Sequence, residues 1–173
     1  MFAQENYRFE WKDIGDIVEG RPNLGQNTSV AAYRLMQFTL RNILIDELNV
    51  EETNEIFVKA GELAGSAFCR NLLDSSLDFN AFVADLQAKL KSLNMGILRI
   101  EEADLEQMTF TMTVSEDLDC SGLPTCGETV CHYDEGFIAG ILETYTGKRF
   151  QAKEVDCWTS DGRVCRFVAR ALD

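Results

Sequence analysis

Basic residues, histidine and proline are scarce in this chain of 173 residues: 16 Lys and Arg against 29 Asp and Glu, one His and two Pro. A net charge of −13 repels phosphate backbones, which argues against nucleic acid and anionic lipid as partners. Nowhere do about 18 apolar residues follow one another, so no membrane span is expected. The opening MFAQENYRFEWKD has no basic segment followed by an apolar run, so no signal peptide is visible and a cytoplasmic setting is expected. Neither a GxGxxG pattern nor a P-loop is present, which leaves nucleotide binding without a motif. With His132 as the lone histidine, no local spacing singles out a Ser-His-Asp or Cys-His pair.

What is present fits one folded domain. Hydrophobic residues make up 46% and charged residues 26%, the balance of a globular chain rather than a disordered one. Residues 1–27 lack a sustained period and contain GRPNLGQN, so they read as an N-terminal arm ahead of a single domain over 28–173. Thr28 or Ser29 is a candidate N-cap for a first helix whose Tyr33, Met36, Leu40, Ile43 and Leu44 share a face. A second helix follows through Ile56, Ala60, Leu63 and Ala67, and a third through Phe79, Phe82, Val83, Leu86, Leu90 and Leu93. The period then falls to two in MGILRI and MTFTMTVS, where Phe110, Met112 and Val114 alternate with threonines. CHYDEGFIAGILETYTG returns to helical spacing and stops at Gly147. RFQAKEVDCW and VCRFVARAL form a last hairpin about Asp161-Gly162. Helices, hairpin, helix, hairpin is the order of an α+β domain with a largely antiparallel sheet packed against helices.

Gly61 and Gly65 stand four apart inside the second helix, each costing roughly 1 kcal/mol there. Such a pair marks the close approach of another backbone or of a ligand, and helix packing is the commoner cause.

Six cysteines in a reducing compartment do not suggest a disulfide framework, and five of the six follow residue 119. Zinc accepts thiolate and carboxylate together in a tetrahedral shell. Cys131 at a helix start, with Glu154, Cys157 and Cys165 across the last hairpin, could supply such a shell, and the helix dipole favours thiolate at Cys131. The same cysteines could instead be small core hydrophobes, since C-x7-C is not a familiar zinc knuckle. Cys120 and Cys126, in DLDCSGLPTCGE, fall outside this set as loop bystanders, a redox pair or alternative ligands.

The run from Asp117 to Phe167, DLDCSGLPTCGETVCHYDEGFIAGILETYTGKRFQAKEVDCWTSDGRVCRF, resembles the signature half of the 4-vinyl-reductase domain family, known as hydrocarbon-binding proteins when they stand alone. The helices before it match more loosely. In the related sensor domains of phenol- and xylene-responsive activators, one cysteine at a helix start and a later E-x2-C-x7-C hold a structural zinc. The resemblance therefore implies zinc on Cys131, Glu154, Cys157 and Cys165. It also implies the fold of the small subunits of the TRAPP tethering complex, with an apolar cavity between helices and sheet, and a homodimer. The histidine and tryptophan that hold the phenol hydroxyl in those sensors find no match, because tryptophan occurs only at 11 and 158.

Three functions follow. The leading one is a sensor or carrier of an apolar small molecule, with Phe82, Leu86, Phe110, Met112, Phe137 and Ile141 as candidate lining, Gly61 and Gly65 as a place left for ligand, and a separate partner protein to receive the signal. The same apolar residues would equally fill a packed core. A protein-interaction adaptor like the tethering subunits is the second. A vinyl reductase of tetrapyrrole metabolism is the third, weakened by the missing nucleotide motif and by a metal shell without an open position.

Overall fold

Long helices begin where a short polar side chain can accept a free backbone N–H. In this computed structural model, which describes residues 6–172, Ser29 caps α2 (Val30–Glu47), Asn49 caps α3 (Val50–Leu72) and Asp78 caps α4 (Phe79–Ser92). Of the arm read at 1–27, residues 1–5 lie outside the described part; the remainder holds a 3-10 turn at Trp11–Ile14 and the single-turn α1 (Ile17–Gly20). Helix α5 (His132–Thr146) starts at Cys131 without a side-chain cap and ends at Gly147, in the left-handed conformation at φ 74°.

The sheet is wholly antiparallel in the order β1-β2-β4-β3, from β1 (Ile97–Asp104), β2 (Thr109–Ser115), β3 (Phe150–Asp156) and β4 (Cys165–Ala171). Its register sets Phe110 opposite Ala169, Met112 opposite Phe167 and Val114 opposite Cys165, which carries the period-two pattern into one buried face. On β3 the same alternation buries Phe150, Ala152 and Glu154, so a carboxylate occupies a core position. Helix α4 lies against β1, α5 against β3, and α3 against α5. The expected α+β architecture is present.

The α3–α5 crossing explains the paired glycines. A side chain at Gly61 would meet the backbone carbonyl of Tyr133, and one at Gly65 that of Phe137; from the other helix, Gly136 faces Val58 and Gly140 faces Glu62 in the same way. Two glycines on each helix let the backbones touch, and the hydroxyl of Ser66 donates to the Gly140 carbonyl at 3.3 Å. Gly61 and Gly65 thus pack against a helix and leave no room for a ligand, which corrects the cavity role considered for them.

Helix α2 departs from expectation differently. Met36, Leu40 and Ile43 of its apolar face are exposed, as are Ile56 and Leu63 of α3. What ties α2 down is polar: Arg34 donates to the carbonyls of Leu118 (2.8 Å) and Ser121 (3.0 Å), while Tyr33 and Gln37 each donate to Asp119 at 2.8 Å. The periodicity located the helix, but its apolar face does not point into this chain's core.

Candidate functional site

Two features meet at the N-terminal end of α5: a cluster of sulfurs and the polar end of an apolar cavity. The sulfurs come from four places. Cys157 follows β3, Cys165 begins β4, and Cys131 precedes α5, where it is buried and makes no capping bond with its side chain. Cys120 joins them from the loop after β2. The four sulfurs lie within 4.8 Å of one another, and all four residues are buried.

Separations are 3.9 Å for Cys131–Cys157, 3.8 Å for Cys131–Cys165 and 3.9 Å for Cys120–Cys157, with Cys120–Cys165 shorter at 3.0 Å. A tetrahedron with zinc–sulfur bonds of about 2.3 Å has sulfur–sulfur edges of about 3.8 Å. Three of these separations fit that figure, so the donor set suits a thiolate-binding metal. Mutual hydrogen bonding polarises the bare cluster: donation to Cys120, Cys157 and Cys165 pushes the Cys131 thiol up, and acceptance from Cys120, Cys131 and Cys165 pulls Cys157 down. The Thr159 hydroxyl, 3.1 Å from the Cys157 sulfur, adds a further donor. The cluster thus concentrates thiolate character at Cys157, and a thiolate is the form that binds metal.

Cys131, Cys157 and Cys165 come together, and Glu154 lies beside them with a different contact. Its Oε2 accepts the Cys131 N–H at 2.9 Å, while its Oε1 is buried without a partner. Burial above all, with a further push from the neighbouring Cys157, raises its carboxyl to about 8 against the pull of the Cys131 N–H. Glu154 therefore braces the backbone of one thiol, and Cys120 supplies the fourth sulfur. Reading by spacing set Cys120 aside because it shares a loop with Cys126. The fold separates the two: Cys126 is exposed, its N–H donating to the Thr159 carbonyl at 2.9 Å. The only hint in the sequence was the crowding of cysteines after residue 119.

The cavity lies between α4, α5 and the sheet and measures about 80 Å³. Phe82, Leu86, Phe110, Met112, Phe137 and Ile141 all line it. Ring contacts fix its walls: Phe79 stacks on Phe110 at 5.3 Å, Phe82 on Tyr145 at 3.8 Å, and Phe68 meets Phe137 edge-on at 5.1 Å.

One end of the cavity is acidic, a feature that reading by pattern did not single out. Asp117, Asp119 and Asp134 line it with Tyr33 and Tyr133. Asp117 accepts the N–H groups of Asp119 (2.8 Å) and Cys120 (3.0 Å), so the acidic end of the cavity and the fourth thiol share one loop. Burial raises all three carboxyls; for Asp119, burial and then the charge of Asp117 bring it to about 6.

Residues 110–171 match the model of the 4-vinyl-reductase domain family. An uncharacterized protein of Methanocaldococcus jannaschii is 28% identical over 152 residues, covering 87% of this chain and 82% of its own length, so the sequence likeness extends into the helices. The fold is shared with the phenol-responsive sensory domain of the transcription activator PoxR, solved with phenol: TM-score 0.65, 15% identity, 86% of this chain and 78% of that one. It is shared also with trafficking protein particle complex subunit 3 from Naegleria fowleri, solved covalently bound to palmitic acid: TM-score 0.66, 12% identity, 83% of this chain and 95% of that one.

Proposed function

For a chain whose residues 110–171 match the 4-vinyl-reductase domain family, we propose the function of a small-molecule sensor or carrier, without turnover of its own, stapled by a structural zinc and paired as a homodimer. The observation that carries this reading is the cavity: an apolar space bounded by α4, α5 and the sheet, in the fold of a protein solved with phenol and of another solved with palmitic acid. An engineered apolar cavity of about 150 Å³ admits benzene. At about 80 Å³ this one takes a smaller body, or a larger one once a flexible wall residue such as Met112 yields.

Zinc fits the four thiols on the grounds of donor chemistry and spacing. Cys120, Cys131, Cys157 and Cys165 would hold it, and Glu154 would orient Cys131 from behind. Four sulfurs complete a tetrahedral shell, which suits a structural ion better than a catalytic one. Bound zinc would supply cross-linking here, joining the loop after β2, the start of α5 and the last hairpin. A cytoplasmic setting keeps these thiols reduced and available.

The exposed apolar face of α2 supports the dimer, because burying Met36, Leu40 and Ile43 against a second copy would remove that surface from water. The same face also suits the adaptor reading, with a different protein in place of the second copy. Native mass spectrometry of protein purified without added ligand tests all parts together. The expected spectrum is a dimer carrying one zinc per chain and accepting a small apolar probe. A monomer that takes up no probe and enters a stable complex with another protein would move the function to the adaptor.

A further inference from the structure

The cavity's walls are apolar, but its polar end is one-sided in hydrogen-bonding terms. Asp117 and Asp119 are 5% and 6% exposed, and Asp134 lines the same end with an Oδ2 that is buried and has no hydrogen-bond partner. Among the described residues, no Lys, Arg or His lines the cavity. Nearby donors are already committed: the Tyr33 hydroxyl and the Gln37 amide to Asp119, and the N–H groups of Asp119 and Cys120 to Asp117. Arg34 spends its guanidinium on the carbonyls of Leu118 and Ser121. Tyr133 adds one hydroxyl to the lining. Acceptors are in surplus and carry the negative charge.

From this surplus we infer that the ligand is a small primary amine, its apolar body in the cavity and its ammonium donating to Asp134 and Asp117. The inference rests on the reading of this cavity as a ligand site and adds the chemistry of the head group. An ammonium brings three donors and no acceptor, which matches an end supplied with carboxyl oxygens and little else. A hydroxyl brings one donor and lone pairs that only Tyr133 could meet. A carboxylate or phosphate brings only negative charge and acceptors into a space already lined by three acids, where nothing repays the loss of its water.

A titration of the zinc-loaded protein at pH 7 with n-hexylamine, 1-hexanol and hexanoate, followed by calorimetry, separates the head group from the body. The amine is protonated there, since alkylammonium groups titrate near pH 10.4. Hexylamine is expected to bind at least tenfold more tightly than hexanol, and hexanoate not at all. Asp134→Asn, with Asp117→Asn as a second variant, should bring amine and alcohol to within about threefold of each other while leaving hexanol binding in place. Filling the cavity with Ile141→Trp, or with Leu86→Phe should the first not fold, should weaken amine and alcohol alike. Hexanoate binding as tightly as hexylamine would overturn the head-group inference and leave the cavity reading standing. Failure of all three compounds would overturn the cavity reading and the inference with it. Amine binding that survives cavity filling and is displaced by calcium would mark the acids as a plain cation site and overturn the inference.

Discussion

The thiol corner and the α3–α5 crossing are both buried and both join α5 to the rest of the molecule, yet the chain completes only one of them. At the crossing, Gly61 and Gly65 on α3 meet Gly136 and Gly140 on α5, and the contact closes by backbone shape alone. At the corner, four sulfurs crowd together beside a buried carboxyl whose Oε1 has no partner, and no cationic side chain stands among them. Close packing finishes the first; the second calls for a cation. A burial pattern alone would rank them equal, and donor chemistry separates them.

Removing the metal should break the comparison most strongly. If zinc binds the native state alone at a concentration a thousandfold above its Kd, it stabilises by about 4 kcal/mol. Cys157→Ser, or a strong chelator on the unmodified protein, is therefore expected to lower the melting temperature steeply, and the chelator should then have no further effect on the variant. A chelator that strips zinc without moving the melting curve would show the corner to be complete as it stands.

The crossing should respond to volume and ignore metal. Gly61→Leu or Gly140→Leu places a side chain against a backbone carbonyl, where no rotamer can yield. Overpacking of this kind costs about 1–3 kcal/mol, and the upper end is expected because backbone must move. Zinc content by elemental analysis should stay at one per chain. Equal stability in both variants and the parent would mean that the helices can part without loss.

Smaller effects sharpen the corner itself. Cys120→Ser removes a sulfur donor, whereas Glu154→Ala removes the acceptor that holds the Cys131 N–H. Outer partners of metal ligands typically matter by about 10–100-fold in affinity, so a competition titration should rank Cys120→Ser as the greater loss. The reverse ranking would make the carboxylate the fourth donor. Cys126→Ser, on an exposed loop, should stay within about 0.5 kcal/mol of the parent.

Much of the fold was legible because periodicity follows from local geometry. Alternation in MTFTMTVS foretold a strand that buries Phe110 and Met112, and the 3.6-residue spacing through Phe137, Ile141 and Leu142 foretold α5 and its buried side. Three of the four clustered cysteines were legible from their spacing across one helix start and one hairpin, both local signals.

What the chain determined by itself, then, is where its helices and strands run and that Cys131, Cys157 and Cys165 belong to one corner. Tertiary structure decided the rest. Cys120 stands eleven residues before Cys131, in a loop without a period, and only the hydrogen bonds of Asp117 to that loop and the packing of the last hairpin bring its sulfur to the others. Gly61 and Gly65 signalled a close approach, but which surface approached depended on two more glycines some 75 residues away in α5. Asp117, Asp119 and Asp134 read in sequence as ordinary acids of a strongly acidic chain. They become the polar end of a cavity because long-range contacts, which no local pattern encodes, fold them against α4, α5 and the sheet.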